Sequence, residues 1–317
     1  MNWTETILAK RPPEEIWKQI FDELLLEARA TASPVALHQS LVPADRLLSE
    51  AAWELWEAYQ IFPGRTSLRL VDWWNRSGAG GRAVLVLDAL SLRDLPALLG
   101  GAQTRNIVPA QVSVTGAEVP SDTTPFAKAL GVPTRASLKS NRTPGTFLLK
   151  STQLATDVLN VPFADCAVPS TRDVFIWHEW QDADVHSNRP QDAVFNHASA
   201  QLQSDDFWAF VNRLRQGRKL VITADHGYAT SAQFATTLED EQVVDRLKET
   251  FSAQRLCLAT EQWNHPVLPP VVLAANGYHV VMGQVKWRIQ SGFPPRCHGG
   301  LTLLEVAVPF VELPSLP

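Results

Sequence analysis

The sequence predicts an α/β fold: a three-layer α/β/α sandwich with a mostly parallel central sheet, preceded by a helical N-terminal segment. Two observations carry this. Past residue 80, short apolar runs rich in β-branched residues alternate with helical patterns, the texture of a parallel sheet covered on both faces. Before residue 80 the periodicity is helical, with apolar residues returning every three or four positions. The expected organisation is a helical segment over 1–80, packing on or beside the core, and one α/β domain over 81–317.

The elements follow in order. Pro12-Pro13-Glu14-Glu15 starts a helix, since Pro is tolerated in a first turn and acids there suit the dipole. Ile16, Ile20 and Leu24 then mark its apolar stripe. After the break at Ser33-Pro34 a second helical stretch, "PADRLLSEAAWELWEAYQIF", follows. Trp3, Trp17, Trp53, Trp56 and the Trp73–Trp74 pair lie early and read as packing residues. "RSGAGGR" at 76–82 has the composition of a linker or tight loop. The strands expected beyond it are "AVLVLD" at 83–88, "DVFIWH" at 173–178, "KLVITAD" at 219–225, "PPVVLAA" at 269–275 and "YHVVMG" at 278–283. Thr302 and Glu305 fit a capping box for a final helix.

Composition narrows the function classes. A net charge of −5 and a pI near 5.9 give no electrostatic footprint for nonspecific nucleic-acid binding. A phosphate-bearing substrate stays open, because bound cations reverse the local sign. The charged first twenty residues lack a signal-peptide core, and no apolar run is long enough for a bilayer. Cys166, Cys257 and Cys297 are scattered and odd in number, which argues against a disulfide framework. A cytoplasmic protein with no membrane partner is the expectation.

In sheets of this kind, ligands gather beyond the carboxyl ends of the strands. Asp88 ends one expected strand and Asp225-His226-Gly227 another. "DADVH" adds Asp182 and His186 at i, i+4, and "CHGGLTLLE" adds His298 ahead of two glycines. Each piece has a plain reading as a cap, a turn or a solvated surface group. Together, three carboxylates and three histidines at four strand ends match what a pair of divalent ions needs, and zinc suits such N and O donors.

The ligand order, the "DHG" of 225–227 and above all "HGGLTLLEVAVPFV" resemble the alkaline phosphatase superfamily, and within it the PglZ domain, from about residue 80 onward. The resemblance implies two divalent ions, zinc first and manganese as the alternative. One would be held by Asp182, His186 and His298, the other by Asp88, Asp225, His226 and a hydroxyl nucleophile. PglZ-like sequences carry a Pro-Ser-x-Thr segment, here Pro120-Ser121-Asp122-Thr123, which makes Thr123 the catalytic hydroxyl. Thr124 and Ser121 are alternatives, and simple helix capping ahead of "PFAKAL" is the plain reading. Where many relatives have "DALR" this chain has "DALS", ending at Ser91, so substrate preference does not carry over.

Around this set, His178 and Thr124 are candidates for contact with substrate or with a ligand from outside; a packed histidine beside Trp177 and Trp180 is the other reading of His178. Lys139, Arg142 and Arg296 read as solvated charges, His38, His197, His265 and His279 as structural or surface residues, and Cys297 as no ligand. The function implied is a metal-dependent phosphodiesterase acting on nucleotides, nucleotide second messengers or nucleic acid, with protein partners in a phage-defence or signalling system. Two alternatives stand beside it: a phosphomonoesterase or phosphomutase on the same site, and a non-catalytic scaffold or effector-binding component that docks through its first eighty residues.

Overall fold

The computed structural model describes residues 2–31, 33–76, 78, 80–234, 241–260, 263, 269–290 and 292–317. The chain opens with five helices: α1 (Trp3–Ile7), α2 (Pro13–Ala30), α3 (Pro34–Glu50), α4 (Glu54–Tyr59) and α5 (Thr66–Arg76). Pro13 stands in the first turn of α2, and Ile16, Ile20, Leu24 and Ala28 form its buried stripe. Ser33 caps α3 by accepting the Ala36 N–H at 3.4 Å, and α3 carries Pro43 inside it.

The α/β part then runs β1 (Gly81–Leu87), α6 (Leu95–Gln103), β2 (Gln111–Gly116), α7 (Thr123–Ala129), β3 (Leu154–Leu159) and β4 (Asp173–His178). It continues with α8 (Trp180–Val185), α9 (Gln191–Gln203), α10 (Asp205–Arg215), β5 (Arg218–Thr223), β6 (Ala229–Thr230) and α11 (Glu241–Phe251). The last elements are β7 (Leu256–Leu258), β8 (Val272–Ala275), β9 (Tyr278–Val281), β10 (Arg296–Cys297), α12 (Leu303–Val306) and β11 (Ala307–Leu313).

Six strands form the main sheet in the order β2-β11-β5-β1-β4-β3. The β5-β1-β4-β3 portion is parallel, and β11 is antiparallel to both β2 and β5. The sheet is therefore mostly parallel, as expected. Its strands are buried on both faces, and alternation divides the side chains between two clusters. Leu85, Leu87, Ile176 and Ile222 join a core with α2, α3, α4, α6 and α10. Val84, Val86, Trp177 and Val221 pack on the other side with Trp73 and Trp74 of α5 and Phe126 of α7. Helices from the first eighty residues thus cover both faces.

Three departures from expectation have physical causes. The runs at 269–275 and 278–283 lie outside the parallel sheet, in a separate three-stranded antiparallel sheet of order β7-β9-β8. Asn276-Gly277 joins β8 to β9 with φ of 51° and 79°, a two-residue hairpin turn, whereas parallel neighbours need a long crossover. The final helix is one turn long and gives way to β11, whose β-branched run and Pro309 cannot prolong it. Only half of its capping box forms: Thr302 Oγ1 accepts the Glu305 N–H at 3.3 Å, while the Glu305 carboxylate turns to Arg255 and the Gly300 N–H. Finally, β2 and β3 are edge strands whose half-polar sequences gave no strand signal.

Candidate metal centre

The C-terminal ends of β1, β4 and β5 open onto one crevice. Asp88 follows β1, Asp182 sits in α8 with His186 at its C-cap, and Asp225-His226 lies just past β5. His298 follows β10, which pairs with β6 and so brings the "HGG" turn beside the "DHG" turn. Gly227 allows this approach, because a Cβ there would strike the Leu304 carbonyl oxygen; its own N–H donates to Glu305 O at 2.9 Å. Gly299 has φ +92°, a left-handed turn that favours glycine.

Two sets of ligand atoms converge within 4.8 Å of one another: Asp182, His226 and His298, and Asp88, Asp225 and His226. His226 stands between them, its ring stacked on that of His298 at 4.3 Å between centroids. His186 adds to the first set, its Nε2 lying 3.2 Å from Asp182 Oδ1 and 3.0 Å from His298 Nε2. Asp88, Asp225 and His226 are fully buried, whereas the His186 side chain is 56% exposed at the mouth.

The donors fit a divalent cation. His226 Nδ1 lies 2.9 Å from Gly227 O, to which it donates, so Nε2 carries a lone pair. That lone pair faces Thr123 Oγ1 at 3.4 Å, Asp225 Oδ2 at 3.4 Å and Asp88 Oδ1 at 3.8 Å. Asp88 Oδ1 is buried without a hydrogen-bond partner. Acceptors crowded together in a buried site are costly unless a cation joins them. Mixed imidazole and carboxylate donors are the set zinc accepts.

Thr123 begins α7 and its hydroxyl donates to Asp225 Oδ2 at 2.7 Å. Of the alternative hydroxyls, Ser121 spends its proton on Gly300 O at 2.7 Å. Ser91 accepts the Arg93 N–H at 3.3 Å and caps a short turn. The buried Arg93 nearby clamps the "DHG" loop, donating to Tyr228 O and Thr230 Oγ1 and lying 4.1 Å above the Tyr228 ring. Thr124 shows its backbone N–H bonded to Asp122 Oδ1 at 3.1 Å.

His178 follows the packed one of its two readings and not the substrate or ligand contact. Nε2 donates to Val161 O at 2.9 Å, Nδ1 accepts the Trp180 N–H at 3.1 Å, and the ring packs on Phe163 and Phe210. Both nitrogens are spent on the backbone, so the ring has nothing to offer a phosphate or a ligand. Arg296 is likewise no solvated charge: it is buried, and donates to the carbonyls of Val185, Ser187 and Arg189 around His186. Lys139 and Arg142 are exposed, His38 and His279 are buried, and His197 pairs with Asp184. Cys297 is a buried free thiol. His265 lies outside the described residues.

Two site residues escaped the sequence reading. Arg135 reaches Asp88 Oδ2 through Nη1 and Glu179 Oε1 through Nη2, the latter at 2.8 Å. Asp122, the N-cap of α7, faces His298 Nδ1 at 3.3 Å. Burial raises the Asp122 carboxyl, but its contact with His298 and the neighbouring imidazoles outweigh it and hold it down at about 2. Burial also works against the charged form of Asp182, and His186, His226 and His298 again win, lowering it.

No protein-family model matches the sequence, and no curated protein matches it. Among solved structures, the chain is similar to a phosphonoacetate hydrolase from Sinorhizobium meliloti 1021 in complex with phosphonoformate, at 14% identity and a TM-score of 0.42. That match covers 75% of this chain and 90% of the other. It is also similar to murine ectonucleotide pyrophosphatase/phosphodiesterase 5, at 13% identity and a TM-score of 0.48, over 73% of this chain and 87% of that one. An inactive form of the murine protein in complex with AMP matches at 12% identity with a TM-score of 0.49, over 74% and 88% of the two chains.

Proposed function

We propose that this chain is a metal-dependent phosphoesterase, and more narrowly a phosphodiesterase, with Thr123 as its nucleophile. The observation that carries the proposal is the 2.7 Å bond from Thr123 Oγ1 to Asp225 Oδ2, inside a buried cluster of metal-ligand types. Two divalent ions, when held by Asp182, His186 and His298 and by Asp88, Asp225 and His226, supply Lewis-acid stabilisation of the charge that builds on phosphorus and its oxygens. Thr123 Oγ1 is fixed at the head of α7, with its hydrogen directed at a carboxylate. Attack forms an Oγ1–P bond as the ester P–O bond breaks; the Thr123 proton passes to Asp225 Oδ2, and the departing oxygen takes a proton from solvent. Water then releases the phosphoryl group from the threonine and restores the hydroxyl.

Arg135 stands at the edge of the cluster as a fixed positive charge on Asp88 and Glu179. A guanidinium there also suits a dianionic monoester, and it favours a phosphomonoesterase as the second reading. Nucleotide or nucleic-acid substrates, and a place in a phage-defence or signalling system, are supported by the sequence resemblance.

The test is metal content per chain with hydrolysis of bis-aryl and mono-aryl phosphates side by side. The expected result is about two zinc or manganese equivalents and faster turnover of the diester. Thr123→Ala should keep its metal and lose roughly 10³-fold or more in turnover. Absence of metal after reconstitution overturns the proposal, full activity in Thr123→Ala removes Thr123 from it, and preference for the monoester selects the second reading.

A further inference from the structure

The "HGG" turn and the loop that presents Thr123 are fastened to one another. The Gly299 N–H donates to Ser121 O at 2.9 Å, and the Ser121 hydroxyl to Gly300 O at 2.7 Å. Between these backbone ties lies Asp122, with its two oxygens committed to different halves of the crevice. Oδ1 accepts the Thr124 N–H at 3.1 Å and so holds the turn that carries Thr123. Oδ2 faces His298 Nδ1 at 3.3 Å. This is an ion-pair distance without hydrogen-bond geometry, and Nδ1 has no other partner among the described residues; a carboxylate facing it favours the proton on Nδ1 and leaves Nε2 as the lone pair. That Nε2 lies 3.0 Å from His186 Nε2 and 3.9 Å from Asp182 Oδ1, where the first ligand set converges.

We propose that Asp122 is a positioning residue joining the two halves of the site, turning His298 toward Asp182 and His186 while it fixes the turn that carries Thr123. The inference rests on the metal centre proposed above. A carboxylate so committed cannot swing to serve one side without releasing the other. A shift of His298 is therefore passed to Thr123, and the ligand set and the nucleophile keep one geometry.

Asp122→Ser tests this, because serine caps a helix as well as aspartate does but is too short to reach His298. Competition with a chelator should show affinity for zinc weakened by about 10- to 100-fold, the range for loss of a carboxylate behind a histidine ligand. The thermal midpoint of the metal-free chain should stay at the wild-type value. Nitrogen-15 spectra of the metal-free chain, recorded at alkaline pH where the ring is neutral, should show His298 as the Nδ1–H tautomer in wild type and not in the variant. Zinc affinity within about twofold of wild type overturns the inference, as does an unchanged tautomer. Asp122→Asn, which keeps the volume, answers the same question if Asp122→Ser loses its fold. A wild-type chain that takes up no divalent ion overturns the metal centre itself, and the tautomer still decides whether Asp122 orients His298.

Discussion

At the end of β4, His178 is held neutral by its surroundings. Burial lowers its pKa from 6.5 to about 4 against a smaller opposing effect of the Val161 hydrogen bond. The folded chain therefore binds fewer protons there than the unfolded chain. Stability from this group is complete above 6.5 and is lost as pH falls toward 4. Between pH 7 and pH 5 the loss is on the order of 2 kcal/mol. His38, lowered to about 3 by burial and by Arg93, adds to the same slope. Urea midpoints for wild type and His178→Asn at the two pH values check this: the variant should fall less on acidification, and equal falls would refute it. At this scale much of the candidate site was legible: Asp88, Asp225, His226 and His298 sit where a strand ends or a turn begins, and the i, i+4 spacing of Asp182 and His186 puts them on one side of α8. Arg135 and Asp122 were not. Arg135 meets Asp88 from 47 positions along the chain with no local pattern to mark it. Asp122 also fills an ordinary capping role, which conceals its second contact.

Among the elements, strands buried on both faces could be read from sequence and edge strands could not. The "DVFIWH" run coincides with β4 because every residue in it is buried. In β2 the burial changes from exposed to buried along the strand, so its sequence never becomes a continuous apolar run. The short α12 carries more than its length suggests. Its Glu305 holds Gly300 by the side chain and Gly227 by the main-chain carbonyl, so both ligand turns depend on a single helical turn. Gly227→Ala should force the "DHG" turn off α12, at a cost of roughly 1–3 kcal/mol, and weaken metal binding through His226. Gly100→Ala in α6 is the control, since a Cβ there meets nothing within 4 Å, and alanine should stabilise the helix by about 0.5–1 kcal/mol. Thermal melts and zinc titration of both variants check the pair; a Gly227→Ala chain that melts and binds like wild type would show that α12 does not hold the turn.

Across the whole molecule, the helices of the first eighty residues belong to the packing of the sheet. Trp17, Ile20 and Leu24 share one core with Leu85, Ile176 and Ile222, and Tyr59 Oη donates to Ala117 O at 2.8 Å. Asp45 of α3 accepts the Leu303 N–H at 2.7 Å, at the head of α12. Removing residues 1–80 should therefore leave an apolar sheet face uncovered and yield aggregated chain. Soluble yield and circular dichroism of a chain beginning at residue 81 measure this. A monomeric, folded product would free those helices for docking a partner. Among the described residues no helix is long and apolar enough to cross a membrane.

The antiparallel strand β11 has a consequence for the order in which the molecule comes together. It lies between β2 and β5 yet follows His298 in the chain. Until it arrives, β2 lacks the strand that pairs with it among the described residues, and the N–H groups of Ala117 and Gly227 lack the Val306 and Glu305 carbonyls that receive them. Pairings between such distant segments form late. The candidate ligand set that needs His298 is thus completed only as the sheet closes, whereas Asp88, Asp225 and His226 meet as soon as β1 pairs with β5, so the two halves of the crevice mature in sequence.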